Sequence, residues 1–310
     1  MRVIALSFTC NNACVFCAQG NLRETAAAID AEASVQGTAA SLRGGEAVAL
    51  VGGEPTLDER LPSFVRALDA AGAGAVVVQT NGRRLAYRSY ARLLREASPR
   101  LALDVSLAGS TEAMHDYHTG TPGSFKQTVL GLRNARAEKI RVAVSTVITR
   151  SNFRHLADIV RLCHAVGAAA VRFVPAQPFG AALAQRDRVV PALELVGPYL
   201  ALAMSEATKL GLPARVDSTG APEEGAFAGL GPVETEAQAT ADRARREAAS
   251  PAEPRRALQI FGRPAPGRRE ERGPSRKTGE DLRTILPSLF DGSPPRDVAE
   301  VVAASEKGGG

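Results

Sequence analysis

The sequence predicts an α/β protein built as an open or partial (βα)6 barrel, followed by a largely disordered C-terminal tail. Three observations lead there. Apolar, β-branched runs of strand length alternate with stretches of helical periodicity, every chemically suggestive motif follows one of those runs, and the composition changes near Asp217. Strand alternating with helix implies parallel pairing through right-handed crossovers, and near-continuous apolar strands imply a sheet covered by helices. In such barrels function gathers in the loops after the strand C-termini.

The expected strands are residues 3–8, 47–51, 75–79, 101–107, 142–148 and 170–174, each a short apolar run. Between and after them, residues 61–71, 87–96, 124–137, 152–166 and 192–210 repeat apolar positions at spacings of three and four with charges between, the pattern of helices packed on one face. Residues 1–217 form the expected core domain. In the remaining residues, 218–310, Pro, Gly and charged residues dominate; eleven of the nineteen prolines lie in the last hundred residues, so little apolar surface is available to bury. Two exceptions stand out there: a polar helical stretch at 236–249 and a small apolar island at 281–290 that reads as a short docking helix.

The chain's 310 residues, 45% hydrophobic and 23% charged, are enough to bury a core without disulfide or metal staples. No apolar run of membrane-spanning length is evident, and the N-terminus reads as a first strand instead of a signal peptide, so no membrane association and a cytoplasmic location are expected. The net charge is +5, but there is no compact Lys/Arg block, no Trp and only four Tyr, which leaves nucleic acid little to bind.

Cysteine usage is more specific. Three of the four cysteines fall at Cys10, Cys14 and Cys17, and the fourth, Cys163, lies in a helical pattern that reads as core. This is metal-ligand spacing, not a disulfide framework, and with no partner His it is one ligand short of a closed structural zinc site. Three thiolates in one short loop suit three irons of a four-iron cubane and leave the fourth iron open for substrate or cofactor.

At this point the sequence resembles the radical S-adenosylmethionine (SAM) enzymes, whose signature is CX3CX2C with an aromatic residue before the third cysteine, here Phe16. The resemblance extends through Gly52-Gly53-Glu54-Pro55-Thr56-Leu57, Thr80-Asn81-Gly82, Val105-Ser106-Leu107-Ala108-Gly109, His115-Asp116 and Gly123-Ser124-Phe125, and covers roughly the first 180 to 210 residues. It implies the partial barrel of the radical SAM type, a 4Fe-4S cluster on Cys10, Cys14 and Cys17, and SAM as second cofactor. It further implies that Gly52, Gly53 and Glu54 hold the methionine amino group with Pro55 fixing the turn, that Phe16 lies near the adenine, and that Ser106 contacts the ribose or carboxylate end. Where related sequences often place an Arg for the SAM carboxylate, this chain has His118. The implied activity is reductive cleavage of SAM to a 5′-deoxyadenosyl radical that abstracts hydrogen from an unidentified substrate. The implied partner is an external low-potential electron donor of flavodoxin or ferredoxin type.

The motif style is similar to the SPASM and peptide-maturase branch, yet no cysteine follows Cys163 and nine residues precede Cys10, so neither an auxiliary cluster nor a leader-binding module is expected in this chain. The alternative reading is a non-catalytic iron–sulfur and SAM-binding scaffold, which His118 favours. Asp104, inside the fourth strand, reads either as a structural or as a cofactor-side carboxylate.

Overall fold

The computed structural model describes residues 1–20 and 22–217, so the expectations for 218–310, including the stretches 236–249 and 281–290, lie outside the described residues. Seven parallel strands pair in sequence order: β1 (Arg2–Ala5), β2 (Ala47–Val51), β3 (Ala75–Thr80), β4 (Leu101–Ser106), β5 (Arg141–Ile148), β6 (Ala170–Pro175) and β7 (Ala214–Val216). Helices α1 (Leu22–Thr25) and α2 (Ala31–Ser41), α3 (Leu61–Ala70), α4 (Arg88–Ala97), α5 (Glu112–Thr119) and α6 (Ser124–Ala137), and α7 (Leu156–Val166) connect the first six strands. Helices α8 (Ala181–Ala184), α9 (Arg186–Val189) and α10 (Leu193–Lys209) lead to β7. Because neighbours in the sheet are neighbours in sequence, the sheet curls one way into the expected partial barrel, and all strand C-termini open on one mouth.

Alternation along each strand separates two faces. Val48, Leu50, Val76, Val78, Leu103, Val105, Val142 and Val144 point outward into the main core with Phe64, Leu94, Phe125 and Leu156 from the helices. The residues between them, Ala49, Val77, Ala102 and Ala143, form a separate small cluster on the concave face. Small side chains there leave a lumen instead of filling it.

Six strands and the five long helices fall where the periodicity places them. The first strand is shorter than expected: after Ala5 only the Leu6 N–H still bonds Val51 O, at 2.9 Å, and the chain bends across the end of β2. Residues 152–166 divide into a 3-10 turn, Phe153–His155, and α7, with His155 at the N-cap, its Nδ1 3.4 Å from Asp158. The His115-Asp116 and Gly123-Ser124-Phe125 motifs prove to be one capping device. The Asp116 carboxylate accepts from the N–H groups of Gly123 (2.6 Å) and Phe125 (2.8 Å) and from the Ser124 hydroxyl (2.8 Å), satisfying the first turn of α6. Cys163 is fully buried in the main core, and burial pushes its thiol up, away from reactive thiolate. By length and composition the stretch Arg186–Lys209 is long and apolar enough to cross a membrane, which corrects the expectation that no such run exists; Val196, Leu200, Ala203 and Ala207 of this stretch are packed in the core.

Asp104 is held by protein partners. It is fully buried on the concave face, its carboxylate 2.7 Å from Arg172 Nη2 and bonded by the Ser145 hydroxyl, while Arg172 also donates to Ser145 Oγ (2.9 Å) and pairs with Asp217 (3.2 Å). A cavity of about 170 Å³ lies beside this pair, lined also by Ala143, Ala170 and Pro213. Burial pushes the Asp104 carboxyl up and Arg172 opposes it. Removing Arg172 strands the fully buried Asp104 carboxylate, whereas removing Asp104 leaves Arg172 on Asp217. Arg172→Met should therefore cost about 3–5 kcal/mol in urea unfolding, and the double variant Asp104→Leu/Arg172→Met should recover most of that loss.

Candidate active site

The mouth of the barrel is organised by the end of β2. Gly52 and Gly53 hold φ of +90° and +53°, a region open to glycine. A Cβ on Gly52 would lie 2.7 Å from Ser7 O, and one on Gly53 would collide with Thr9 O. The glycine pair therefore lets the chain's own cysteine loop pass against β2, and the Glu54 N–H donates to Thr9 O at 2.7 Å. The close approach expected toward a ligand is, in this structure, an approach to protein.

Glu54 is likewise turned inward. Its Oε1 accepts from Thr56 N (3.1 Å), Thr56 Oγ1 (2.6 Å) and Thr80 Oγ1 (2.6 Å), and its Oε2 accepts from Asn81 N (2.7 Å). Burial pushes this carboxyl up, against the lowering effect of those donors. The side chain ties the ends of β2 and β3 together. Pro55 opens the 3-10 turn Pro55–Leu57 that carries Thr56 into place.

The cysteine loop is held from three sides. From β3, Asn81 Nδ2 donates to Asn11 Oδ1 (2.7 Å), and Arg83 Nη1 donates to Asn11 O (2.5 Å) and Asn12 Oδ1 (2.8 Å). From the C-terminus of α5, the carbonyls of Thr119 and His118 accept from Ala13 N (2.8 Å) and Val15 N (3.0 Å). From the segment after β6, Ala181 N donates to Cys17 O (2.9 Å), and Gly180 lies so close that a Cβ there would strike the same carbonyl. The sequence reading took Thr80-Asn81-Gly82 as a motif and missed Asn11, Asn12 and Arg83. The only signal was a short polar run, Asn81-Gly82-Arg83-Arg84, at a strand end.

Cys10, Cys14 and Cys17 sit half-buried on this loop, outside any disulfide. Among the described residues no three His, Cys, Asp or Glu side chains gather on a single point to hold one metal ion. The donor set instead suits a cubane, whose irons take one soft thiolate each. Phe16, with Val15 and Val147, packs against the small apolar cluster Ala176, Ala182 and Val189, a dry wall beside the thiols. Ser106 ends β4 opposite Ser145 in register, on the concave face, and its hydroxyl can both donate and accept.

His118 does not occupy an open carboxylate position. It is fully buried, with Nδ1 2.6 Å from Met114 O and Nε2 2.6 Å from Thr149 Oγ1. A carbonyl only accepts, so Nδ1 carries the proton, and Nε2 accepts from the Thr149 hydroxyl; burial lowers the pKa and keeps the ring neutral. Nδ1 is spent within α5 and Nε2 links α5 to the loop after β5, with the Phe16 ring 6.0 Å away.

The loop, the wall and the strand ends form one mouth, and a family model for the radical SAM superfamily matches residues 4–163. The chain belongs to the radical SAM superfamily. This superfamily uses a 4Fe-4S cluster and SAM, the two cofactors expected for the cysteine loop. An AdoMet-dependent heme synthase of Oleidesulfovibrio alaskensis is 28% identical over 205 residues, covering 62% of this chain and 50% of that protein. A probable GTP 3′,8-cyclase of Metallosphaera sedula is 25% identical over 180 residues, covering 57% and 56%. The chain thus spans about half the length of the curated relatives it matches. Among solved structures, SuiB of Streptococcus suis with S-adenosylmethionine bound superposes with a TM-score of 0.59 at 16% identity, over 70% of this chain and 50% of that one, a likeness of fold.

His115 completes the packing behind the radical SAM loop. Its Nδ1 accepts from Ala108 N (3.2 Å), so its proton sits on Nε2, which is buried without a partner among the described residues. Burial lowers its pKa to about 4, with the Asp116 charge opposing. The folded state therefore refuses a proton that the unfolded chain takes near pH 6.5: stability is full above that pH and falls as pH drops toward 4. Between pH 7 and pH 5 this one group should remove roughly 2 kcal/mol, and His115→Asn should lose that much less than the parent in paired urea titrations.

Proposed function

We propose that the chain is the catalytic core of a radical SAM enzyme, with Cys10, Cys14 and Cys17 holding one 4Fe-4S cluster. The observation that supports it best is the cysteine loop, held in place by protein contacts on three sides at the barrel mouth, beside an apolar wall and above a lumen lined by small side chains. When bound, the cluster supplies the electron that cleaves SAM reductively, and the resulting 5′-deoxyadenosyl radical takes hydrogen from a substrate carbon.

The chain's own residues would do the rest. Phe16 and Val147 shield the cofactor's adenine side from water. Backbone groups of Gly52 and Gly53, half exposed at the strand end, offer acceptors to the methionine ammonium. The Ser106 hydroxyl, facing the lumen, bonds the ribose or carboxylate end. Glu54 and His118 act at one remove, by fixing the strand ends and the α5 anchor that hold this arrangement. The two named relatives differ in the molecules of their names, heme and GTP, so what is shared with them is the radical-generating core. The substrate is therefore set by residues outside the shared motifs. Reduction draws on an external flavodoxin- or ferredoxin-type donor, in the reducing cytoplasm where the three thiols stay unoxidised.

Anaerobic reconstitution with iron and sulfide, followed by SAM and dithionite, should yield 5′-deoxyadenosine, and Cys14→Ala should abolish both the cubane spectrum and the product. A cubane that binds SAM yet releases no 5′-deoxyadenosine, with or without a flavodoxin, would instead support the non-catalytic scaffold.

A further inference from the structure

We infer that Arg83 is the positioning residue of the cysteine loop and that its charge, held at that place, favours the reduced state of the cluster. The inference rests on the assignment of the cluster to Cys10, Cys14 and Cys17.

Two independent observations support it. First, Arg83 is fixed at both ends. Its root is pinned by the turn after β3: Asn81 N–H is locked on Glu54, Asn81 Oδ1 accepts from Arg83 N at 3.0 Å, and Thr128 Oγ1 donates to Asn81 O at 2.9 Å. Gly82, at φ +75°, packs so tightly on Val105 that a Cβ would lie 2.8 Å from it. At the other end the guanidinium spans Asn11 O, Asn12 Oδ1 and, through Nε, Gln127 Oε1 at 2.7 Å. The residues it grips are those between Cys10 and Cys14, so the placement of those two thiols follows from it.

Second, every partner of this guanidinium is neutral. Two are amide side chains and one is a backbone carbonyl, and no carboxylate pairs with it among the described residues. Other guanidinium groups of the chain do find carboxylates, such as Arg172 on Asp104, Arg100 on Asp69 and Arg88 on Glu138. An uncompensated cation held beside a loop of three thiolates finds its counter-charge in the cluster itself. Reduction transfers one electron, from the reductant to the cubane, and adds a negative charge to an already anionic assembly. A nearby fixed cation stabilises that added charge and raises the midpoint, less strongly than in a fully buried setting because Arg83 is half-buried.

The test uses the full chain, reconstituted and titrated with dithionite and mediators, with the reduced cubane followed by electron paramagnetic resonance. Arg83→Gln removes the charge, and Arg83→Lys keeps the charge but loses the fork. Arg83→Gln should shift the midpoint to more negative potential, whereas Arg83→Lys should stay near the parent. Both should release iron to a chelator on the order of fivefold faster, the worth of about one lost hydrogen bond. Circular dichroism confirms that each variant is folded, and Gln127→Ala, which leaves the charge in place, should not move the midpoint. A parent-like midpoint in Arg83→Gln, or an equal shift in Arg83→Lys, would overturn the inference. Survival of the cubane in Cys14→Ala would instead sink the ligand assignment on which it rests.

Discussion

The arrangement depends on one buried carboxylate. Glu54 sits where two neighbouring strands end, and the donors that close on it come from both: Thr56 from the turn after β2, Thr80 and Asn81 from β3. A buried carboxylate without such partners would be among the most costly groups in the protein, so its presence dictates that these four donors converge. Once they do, the turn after β3 has one conformation, the Asn81 amide and the Arg83 guanidinium project toward the loop from a rigid base, and the glycine pair is held at the height where the cysteine loop crosses. The polar network is thus a spacer between sheet and loop. Its satisfaction is what turns a generic strand-end mouth into a defined one.

A consequence is that residues with the most chemical character are mostly spent on protein. Asp116 caps α6, His118 joins α5 to Thr149, Asp104 neutralises Arg172, and Glu54 ties β2 to β3. Neutral histidines and paired carboxylates leave the mouth with thiols, a hydroxyl and backbone groups for its cofactors. That division is physically reasonable for a site that must pass electrons: fixed, satisfied dipoles do not reorganise when charge moves, whereas loose ionisable side chains would.

Much of this was legible in the sequence because parallel, helix-covered strands must be apolar on both faces over most of their length. Residues 47–51 and 75–80 could hardly be anything else. Strand β7 escaped because Ala214-Arg215-Val216 is three residues with a charge in the middle, recruited by pairing with β6 and by Asp217 on Arg172, neither of which is local. Helix α2 escaped because its Ala, Ser, Gly and Thr give almost no amphipathic contrast, and tertiary packing of Ala31 and Val35 had to override weak propensity. At the site, the CX3CX2C spacing is the sharpest signal in the sequence, and the structure puts its three cysteines half-buried on one loop at the barrel mouth. What the sequence could not show for Glu54 and His118 is their protein partners, which come from neighbouring elements of the fold. A motif shows that a polar residue is needed at a strand or helix end; whether its atoms face a ligand or the next strand depends on where the neighbouring chain lies, and for His118 the deciding partners, an acceptor and a donor, sit four residues before it and thirty-one after it.

The lumen adds a constraint on the chemistry. The concave strand positions include Ala49, Val77, Ala102, Asp104, Ser106, Ala143, Ser145 and Arg172, with Met1, Val51 and Ala170 packed on the same cluster, and none of these carries a thiol or a phenol. The one cysteine away from the cluster loop, Cys163, packs in the main core on the helix-covered side of the sheet. Sulfur–hydrogen and phenolic oxygen–hydrogen bonds are weaker than the carbon–hydrogen bonds of Ala and Val, so under the proposed radical chemistry this lining would present neither of the side-chain bonds that a carbon radical takes most readily. The alanines would then be as much a part of the site as the cysteines, the loop setting where a radical forms and the lining sparing it.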